Sequence, residues 1–242
     1  MKQNFNNLVL AFIFVISSII MAECEIPSSE LSRSVSSRLR PKLEEELSEK
    51  GLMYGAPIFL RIFKYSRELE LWLKKGEKYQ LFKTYRICTY GRGGLGPKLR
   101  QGDNRAPEGF YFVTPRRMNP YSKYHLSFNL GYPNKYDRSW KRTGSALMVH
   151  GNCVSIGCFA MTDLIIEEIY SLAEASLRKG QKYFRVHIFP FRMTEEKMEK
   201  YGDSRWFSFW ENLKEGYEFF ETRKVPPNVE VINKRYLFEI ED

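Results

Sequence analysis

Ala146-Leu-Met-Val-His150-Gly-Asn-Cys-Val-Ser-Ile-Gly-Cys158-Phe-Ala-Met-Thr-Asp163 is the most informative stretch of this chain. An apolar run ends on His150, and Gly151 lets the backbone leave it at a dihedral other residues resist. Gly157 precedes Cys158 and permits a tight approach of backbone to whatever binds there. Eight positions carrying two glycines let the chain fold back and bring imidazole and sulfur together. A buried cysteine and a satisfied core histidine would need neither glycine. A thiol with an ordinary pKa of about 8.5 is mostly protonated at neutral pH, so an adjacent imidazole that takes its proton creates the attacking thiolate. Backbone amides near Gly157 and Cys158 are candidates to face an oxyanion, one such donor being worth about 3 kcal/mol. Ser155 either holds the loop or hydrogen-bonds the ring.

Around this stretch the apolar pattern alternates between periods. Runs at 58–63, 69–73 and 79–87 read as strands, followed by further strands at 110–114, 125–130 and 146–150. Thr162 is placed to cap a helix running to about residue 179, with Ile165, Ile169, Leu172, Ala173, Ser176 and Leu177 on one face and Gly180 as its stop. A strand at 184–189 follows. Phe207, Trp210, Leu213 and Tyr217 then lie at helical spacing and read as core, and a last strand is expected within 229–240. The segment 91–102, rich in glycine and cations, reads as a mobile surface loop. It lacks the Gly-Lys-Ser/Thr ending and the following helix of a phosphate cradle. Lys98 and Arg100 within it read as a solvated face, with contact to a substrate's carboxylates as the alternative. His187, between Val186 and Ile188, reads as structural.

Upstream, Leu31, Val35, Leu39, Leu43 and Leu47 recur every four residues, with Ser28 or Ser29 as cap, so 28–49 is helical. Pro41 is expected to divide it into two helices. Residues 1–22 have the order of a secretory signal peptide: a polar start with Lys2, an apolar run from Leu8, and small Ala22 before charged Glu23. The apolar run falls short of the roughly 20 residues of a spanning helix; an uncleaved inner-membrane anchor is the alternative. Glu23 stands where lipidation of Cys24 would require a small residue.

At 242 residues, 43% hydrophobic and 15% aromatic, the chain suits one packed domain with appendages rather than disorder. Its formal charge of +9 favours anionic surroundings, but no basic block interleaved with aromatics marks it for nucleic acid. The pattern implies an α+β fold. Its expected divisions are a signal peptide at 1–22, a helical appendage at 23–50, a catalytic domain at 51–228 and a C-terminal strand or tail at 229–242.

The string His150-Gly151 … Ser155-Xaa-Gly157-Cys158 resembles the active-site signature of the YkuD-type L,D-transpeptidases, closest to their YafK-like branch. Phe59-Leu-Arg-Ile-Phe63, Gly96-Pro-Lys-Leu-Arg100, Ala106-Pro-Glu-Gly-Phe110, His125-Leu-Ser-Phe-Asn-Leu-Gly-Tyr-Pro133 and Arg185-Val-His-Ile-Phe-Pro-Phe-Arg-Met193 extend the likeness over about 50–228. It implies a β-rich YkuD fold with flanking helices and a cysteine enzyme that needs no cofactor or metal. Cys158 would attack a peptidoglycan stem peptide at the L-centre of diaminopimelate, with His150 as base. Gly151 would orient the imidazole through its carbonyl, Ser155 and Gly157 would shape the loop, and His125 would either wall the substrate cleft or sit half-exposed in a strand. Two departures stand out. Ile156 replaces the histidine that commonly precedes the Gly-Cys pair, and the motif is shorter than in most members. They leave open whether the acyl group goes to an amine or to water; in the latter case the protein would be an amidase cutting peptidoglycan–lipoprotein links. The expected setting is the periplasm of a Gram-negative envelope.

Rival readings remain at this level. Cys153 packs in the loop or pairs with Cys158, and Cys24 with Cys88 would form a staple. His150, Cys153 and Cys158, completed by Cys88 or His187, would make a zinc site, although the spacing lacks a Cys-x-x-Cys pair. A catalytically silent wall-binding module is the third class.

Overall fold

The computed structural model describes residues 25–239; the predicted signal peptide and Cys24 lie outside them. Helix α1 (Glu30–Glu49) leads into strands β1 (Ile58–Phe63), β2 (Glu68–Lys75) and β3 (Lys78–Arg86). After a long loop come β4 (Gly109–Val113), β5 (Met118–Asn119), β6 (Ser127–Asn129), the short α2 (Lys135–Ser139), β7 (Met148–His150) and β8 (Phe159–Ala160). Helix α3 (Asp163–Arg178), β9 (Phe184–Phe189), α4 (Glu195–Lys200), α5 (Phe207–Arg223) and the hairpin β10 (Asn228–Ile232) and β11 (Arg235–Glu239) complete the chain. The fold is mixed helix and sheet, as the alternating periods imply.

A five-stranded sheet runs in the order β3-β2-β1-β9-β4, and a smaller one in the order β5-β6-β7-β8. β1 sits centrally, antiparallel to β2 and parallel to β9. All six of its residues are buried, which is why it reads as a continuous apolar run rather than an alternating one. The exception in its composition, Arg61, is enclosed by the rings of Phe63, Phe189, Tyr217 and Phe220 and reaches Glu221 at 2.7 Å. Stacking of a guanidinium on aromatic faces lets that charge lie within a core.

Helix α1 is continuous through Pro41. Ser29 and Ser32 form a reciprocal capping box at its start, and Val35, Leu43 and Leu47 are buried in the main core. Pro41 lies on the exposed face, where water can satisfy the carbonyl that loses its partner, so packing outweighs the proline's cost of about 3 kcal/mol. The helix is therefore part of the core rather than an appendage. It packs on α3, where buried Glu167 takes Arg38 at 2.5 Å and buried Glu174 takes the Ser36 hydroxyl at 2.9 Å. Thr162 caps α3 by accepting from the Ile165 amide, as its sequence suggests. The C-terminal region forms two strands, not one, because Asn233 and Lys234 both adopt left-handed backbone and turn the chain.

The segment 91–102 is irregular but anchored, contrary to the mobile loop expected of its glycines. The Lys64 ammonium, 0% exposed, donates to the Gly96 and Ala106 carbonyls at 2.8 and 3.1 Å and to Glu108 at 2.9 Å. Glu108 in turn accepts from the Gly96 amide and from Trp210 Nε1. Every polar atom of this buried pair thus meets a partner, which such burial requires. Lys64→Met should lower unfolding stability by about 3–5 kcal/mol, since it strands the carboxylate of Glu108. Lys64→Met with Glu108→Gln should lose less, both measured by urea denaturation.

Candidate active site

β7 and β8 run parallel, with His150 opposite Ala160. Carried back along the strand, that register puts Cys158 two residues before the partner of His150. The connection between the strands is only residues 151–158, and it turns on two consecutive left-handed residues, Asn152 (φ 64°) and Cys153 (φ 48°). Gly151 is demanded by space: a Cβ there would lie 2.5 Å from Asp163 Oδ1 and 3.0 Å from the His125 Cβ. Asp163 Oδ1 also accepts from the Asn152 amide at 2.7 Å, tying the loop to the start of α3.

His150 is 3% exposed. Its Nδ1 lies 2.7 Å from the Gly151 carbonyl, a contact that requires Nδ1 to carry the proton and leaves Nε2 as the basic nitrogen. The Tyr124 ring covers the imidazole at 4.8 Å. Burial lowers the imidazole's pKa, only partly opposed by the Gly151 carbonyl, so the ring is neutral near pH 7.

Among the described residues Cys158 is the free cysteine, and it is partly exposed. Its sulfur accepts from the Met148 amide at 3.4 Å and donates to the Ala146 carbonyl at 3.5 Å. It makes no hydrogen bond to His150 in this resting geometry, although the sequence suggested direct contact. Burial pushes the thiol's pKa up, while the Met148 amide and the charge of Lys98 pull it back. The resting pair is therefore a neutral thiol and a neutral imidazole, not a preformed thiolate–imidazolium.

Ser155 holds the loop and does not reach the ring. Its hydroxyl donates to the Cys158 carbonyl at 2.7 Å and accepts from the Gly157 amide at 3.0 Å. That occupies the Gly157 amide, one of the two oxyanion donors expected from sequence. Gly157 packs against the Arg105 carbonyl, which an added Cβ would meet at 3.2 Å.

Cys153 is bonded to Cys88. Neither the Cys153–Cys158 nor the Cys24–Cys88 pairing forms, and the disulfide removes two donors from the proposed zinc set. The Cys88 segment runs beside β8, its amide donating to the Ala160 carbonyl at 2.9 Å, so the bond ties the loop 151–158 to its neighbouring strand. His125 stands just before β6 with φ 67° and is not in the strand at all. Its Nε2 lies 2.7 Å from Glu167 of α3. His187 is structural, packed between the Phe59 and Phe110 rings, each at 4.7 Å.

Lys98 is buried rather than solvated and pairs with Asp103 at 2.7 Å, while Arg100 is exposed as expected. Asp103 accepts as well from the amides of Leu99, Arg100 and Arg105. Tyr124, Lys98 and Asp163 are the site residues that sequence reasoning missed. Only Asp163, as the acid opening a capped helix, carried a local signal.

Residues 62–214 match the YkuD L,D-transpeptidase catalytic domain. The chain is also 48% identical over 188 residues to YafK of Escherichia coli strain K12, provisionally named an L,D-transpeptidase, with 78% of this chain and 76% of that one covered. This chain belongs to the YkuD family of L,D-transpeptidases. Its function is accordingly peptidoglycan modification, and the family's catalytic domain spans both the His150 strand and Cys158. YafK of E. coli O157:H7 matches to the same extent. The structure of the helical cell shape determining protein Pgp2 from Campylobacter jejuni aligns over 78% of this chain and 80% of that one, at 17% identity and a TM-score of 0.44.

Alkylation tests the electrostatics around Cys158. Because iodoacetamide reacts with thiolate, labelling of Cys158 should rise with pH to a midpoint above the ordinary thiol range. Lys98→Met should move that midpoint further up, as read by peptide mass mapping. Separately, Cys88→Ser/Cys153→Ser should lower stability by about 2–4 kcal/mol, measured by urea denaturation.

Proposed function

We propose that the enzyme is a peptidoglycan-modifying cysteine acyltransferase with Cys158 as nucleophile and His150 as general base. The observation that carries this is a free thiol beside the strand whose terminal imidazole has its tautomer held by the Gly151 carbonyl. The sulfur leaves the Ala146 carbonyl and gives its proton to Nε2 of His150 as it attacks the stem-peptide carbonyl at the L-centre of diaminopimelate. Hydrogen bonds of this kind are often long or absent in a free enzyme and tighten on the substrate. The Cys158 amide stabilises the oxyanion, its Gly157 neighbour being engaged by Ser155. The scissile C–N bond then breaks, the leaving amine takes the proton from His150, and the acyl group stays on sulfur. It passes next to an amine of another stem peptide, or to water in the amidase variant that would release an envelope lipoprotein.

A neutral thiol poised against a neutral imidazole suits this sequence, since the proton moves only as the substrate carbonyl arrives. The exposed tip of the loop, with Ile156 82% and Val154 54% exposed, offers an apolar rim beside the sulfur. The signal-like order of residues 1–22 supports export to the periplasm, where peptidoglycan lies. Among the described residues no helix is long and apolar enough to cross a membrane.

Incubation with defined muropeptides and with protein-linked peptidoglycan, followed by mass spectrometry, should yield cross-linked or released products and a thioester on Cys158. Cys158→Ala should abolish them, and His150→Ala should slow them about 10²–10⁴-fold. Turnover that survives Cys158→Ala would sink the reading. Because burial lowers the pKa of His150, kcat/KM should fall on the acid side with a midpoint below the ordinary imidazole value of about 6.5, as the base becomes protonated.

A further inference from the structure

A groove of about 470 Å³ lies between α2, the start of α5 and the tip of the C-terminal hairpin. Trp140, Trp206, Arg142, Arg205, Lys234 and Arg235 stand on its walls, and no carboxylate does. Two of these cations are committed: Arg142 to Asp137 at 2.9 Å and Arg235 to Glu215. Arg205 and Lys234 are exposed and make no ion pair among the described residues. Each instead lies over an indole, Arg205 at 4.3 Å from the Trp206 ring and Lys234 at 5.0 Å from the Trp140 ring. Four like charges gathered around one concavity, two of them unanswered, call for an anionic occupant.

Neither Cys158 nor His150 lines this groove, yet two chain segments connect it to them. Trp206 packs on Gly96, whose hypothetical Cβ would lie 2.3 Å from the indole nitrogen. The same loop, 91–102, starts at Gly91, where an added Cβ would meet the backbone of Ile156 and Gly157 at 3.0 Å. The second link is shorter. Trp140 precedes Ala146, whose carbonyl receives the thiol's hydrogen bond, by six residues, which span at most about 20 Å.

We propose that this groove binds the sugar–peptide junction of a peptidoglycan strand, apart from the scissile bond. The inference rests on the cell-wall substrate proposed above. Pyranose rings present an apolar C–H face that matches the flat indoles of Trp140 and Trp206. The stem peptide presents carboxylates, which offer Arg205 and Lys234 a stronger partner than an aromatic face. On binding, those two flexible side chains swing from the indoles to the carboxylates and uncover the rings for the sugar. The occupant is then recognised by both of its chemistries, and neither a neutral glycan nor a sugar-free peptide satisfies the groove alone.

Calorimetry with the whole protein tests this with two ligands, a disaccharide–tetrapeptide and the same tetrapeptide without sugar. The native protein should bind the disaccharide–tetrapeptide about tenfold more tightly than the tetrapeptide. Trp140→Ala, and independently Arg205→Glu/Lys234→Glu, should remove about tenfold of that affinity. The double variant changes only exposed side chains, so it decides the matter if Trp140→Ala fails to fold. Equal affinity for the two ligands, or variants that bind the disaccharide–tetrapeptide as the native protein does, would overturn the groove's assignment. Turnover is scored separately on the native protein: if neither ligand is processed, the proposed reaction fails while the binding comparison still judges the groove.

Discussion

The parallel pairing of β7 with β8 is the constraint on which the site depends. Parallel neighbours ordinarily need a crossover of a dozen or more residues, and here residues 151–158 must serve. The chain has to leave β7, reverse and re-enter alongside within that span. It does so with two successive left-handed residues, a glycine whose Cβ would crowd the Asp163 carboxylate, and Ser155 bonded to both the Gly157 amide and the Cys158 carbonyl. Backbone strain of this sort persists only where its surroundings over-determine it. Those surroundings are the Asp163 carboxylate on one side and the Cys88 disulfide on the other.

The same economy of chain explains the electrostatics. Holding a thiol and an imidazole near the end of a buried strand pair takes both partly out of water, and burial disfavours the charged form of each. A family member with a free thiolate would need a stronger cation beside the sulfur. Here Lys98 has its charge largely answered by Asp103. The pair therefore rests neutral, which is the starting state the proposed mechanism requires.

Much of this was legible in the sequence because it is local. The glycines, the histidine and the cysteine sit within one short string, and the strands at 58–63 and 184–189 and the helix capped by Thr162 announce themselves by their periods. What was hidden depends on partners distant along the chain. The bond of Cys153 to Cys88 spans 65 residues, and the choice among four cysteines carries no local mark. Lys98 looked solvated because its counter-ion Asp103 becomes one only when the loop closes upon itself. Pro41 looked like a helix break because its cost is local, whereas the packing that overrides it comes from α3. His125 read equally as a strand residue or as a wall of the cleft, and neither its left-handed backbone nor its bond to Glu167, 42 residues on, carries a local mark.

The Cys88–Cys153 bond has a bearing on when this protein becomes competent. In a reducing compartment those two sulfurs stay apart as thiols, and the tight loop carrying Cys158 is left to its hydrogen bonds, those of Ser155, of Asp163 and of the Cys153 amide to the Met161 carbonyl among them. Closure of this brace then waits upon an oxidant, and a newly made chain carries the free Cys158 thiol before it carries the bond that tethers the loop.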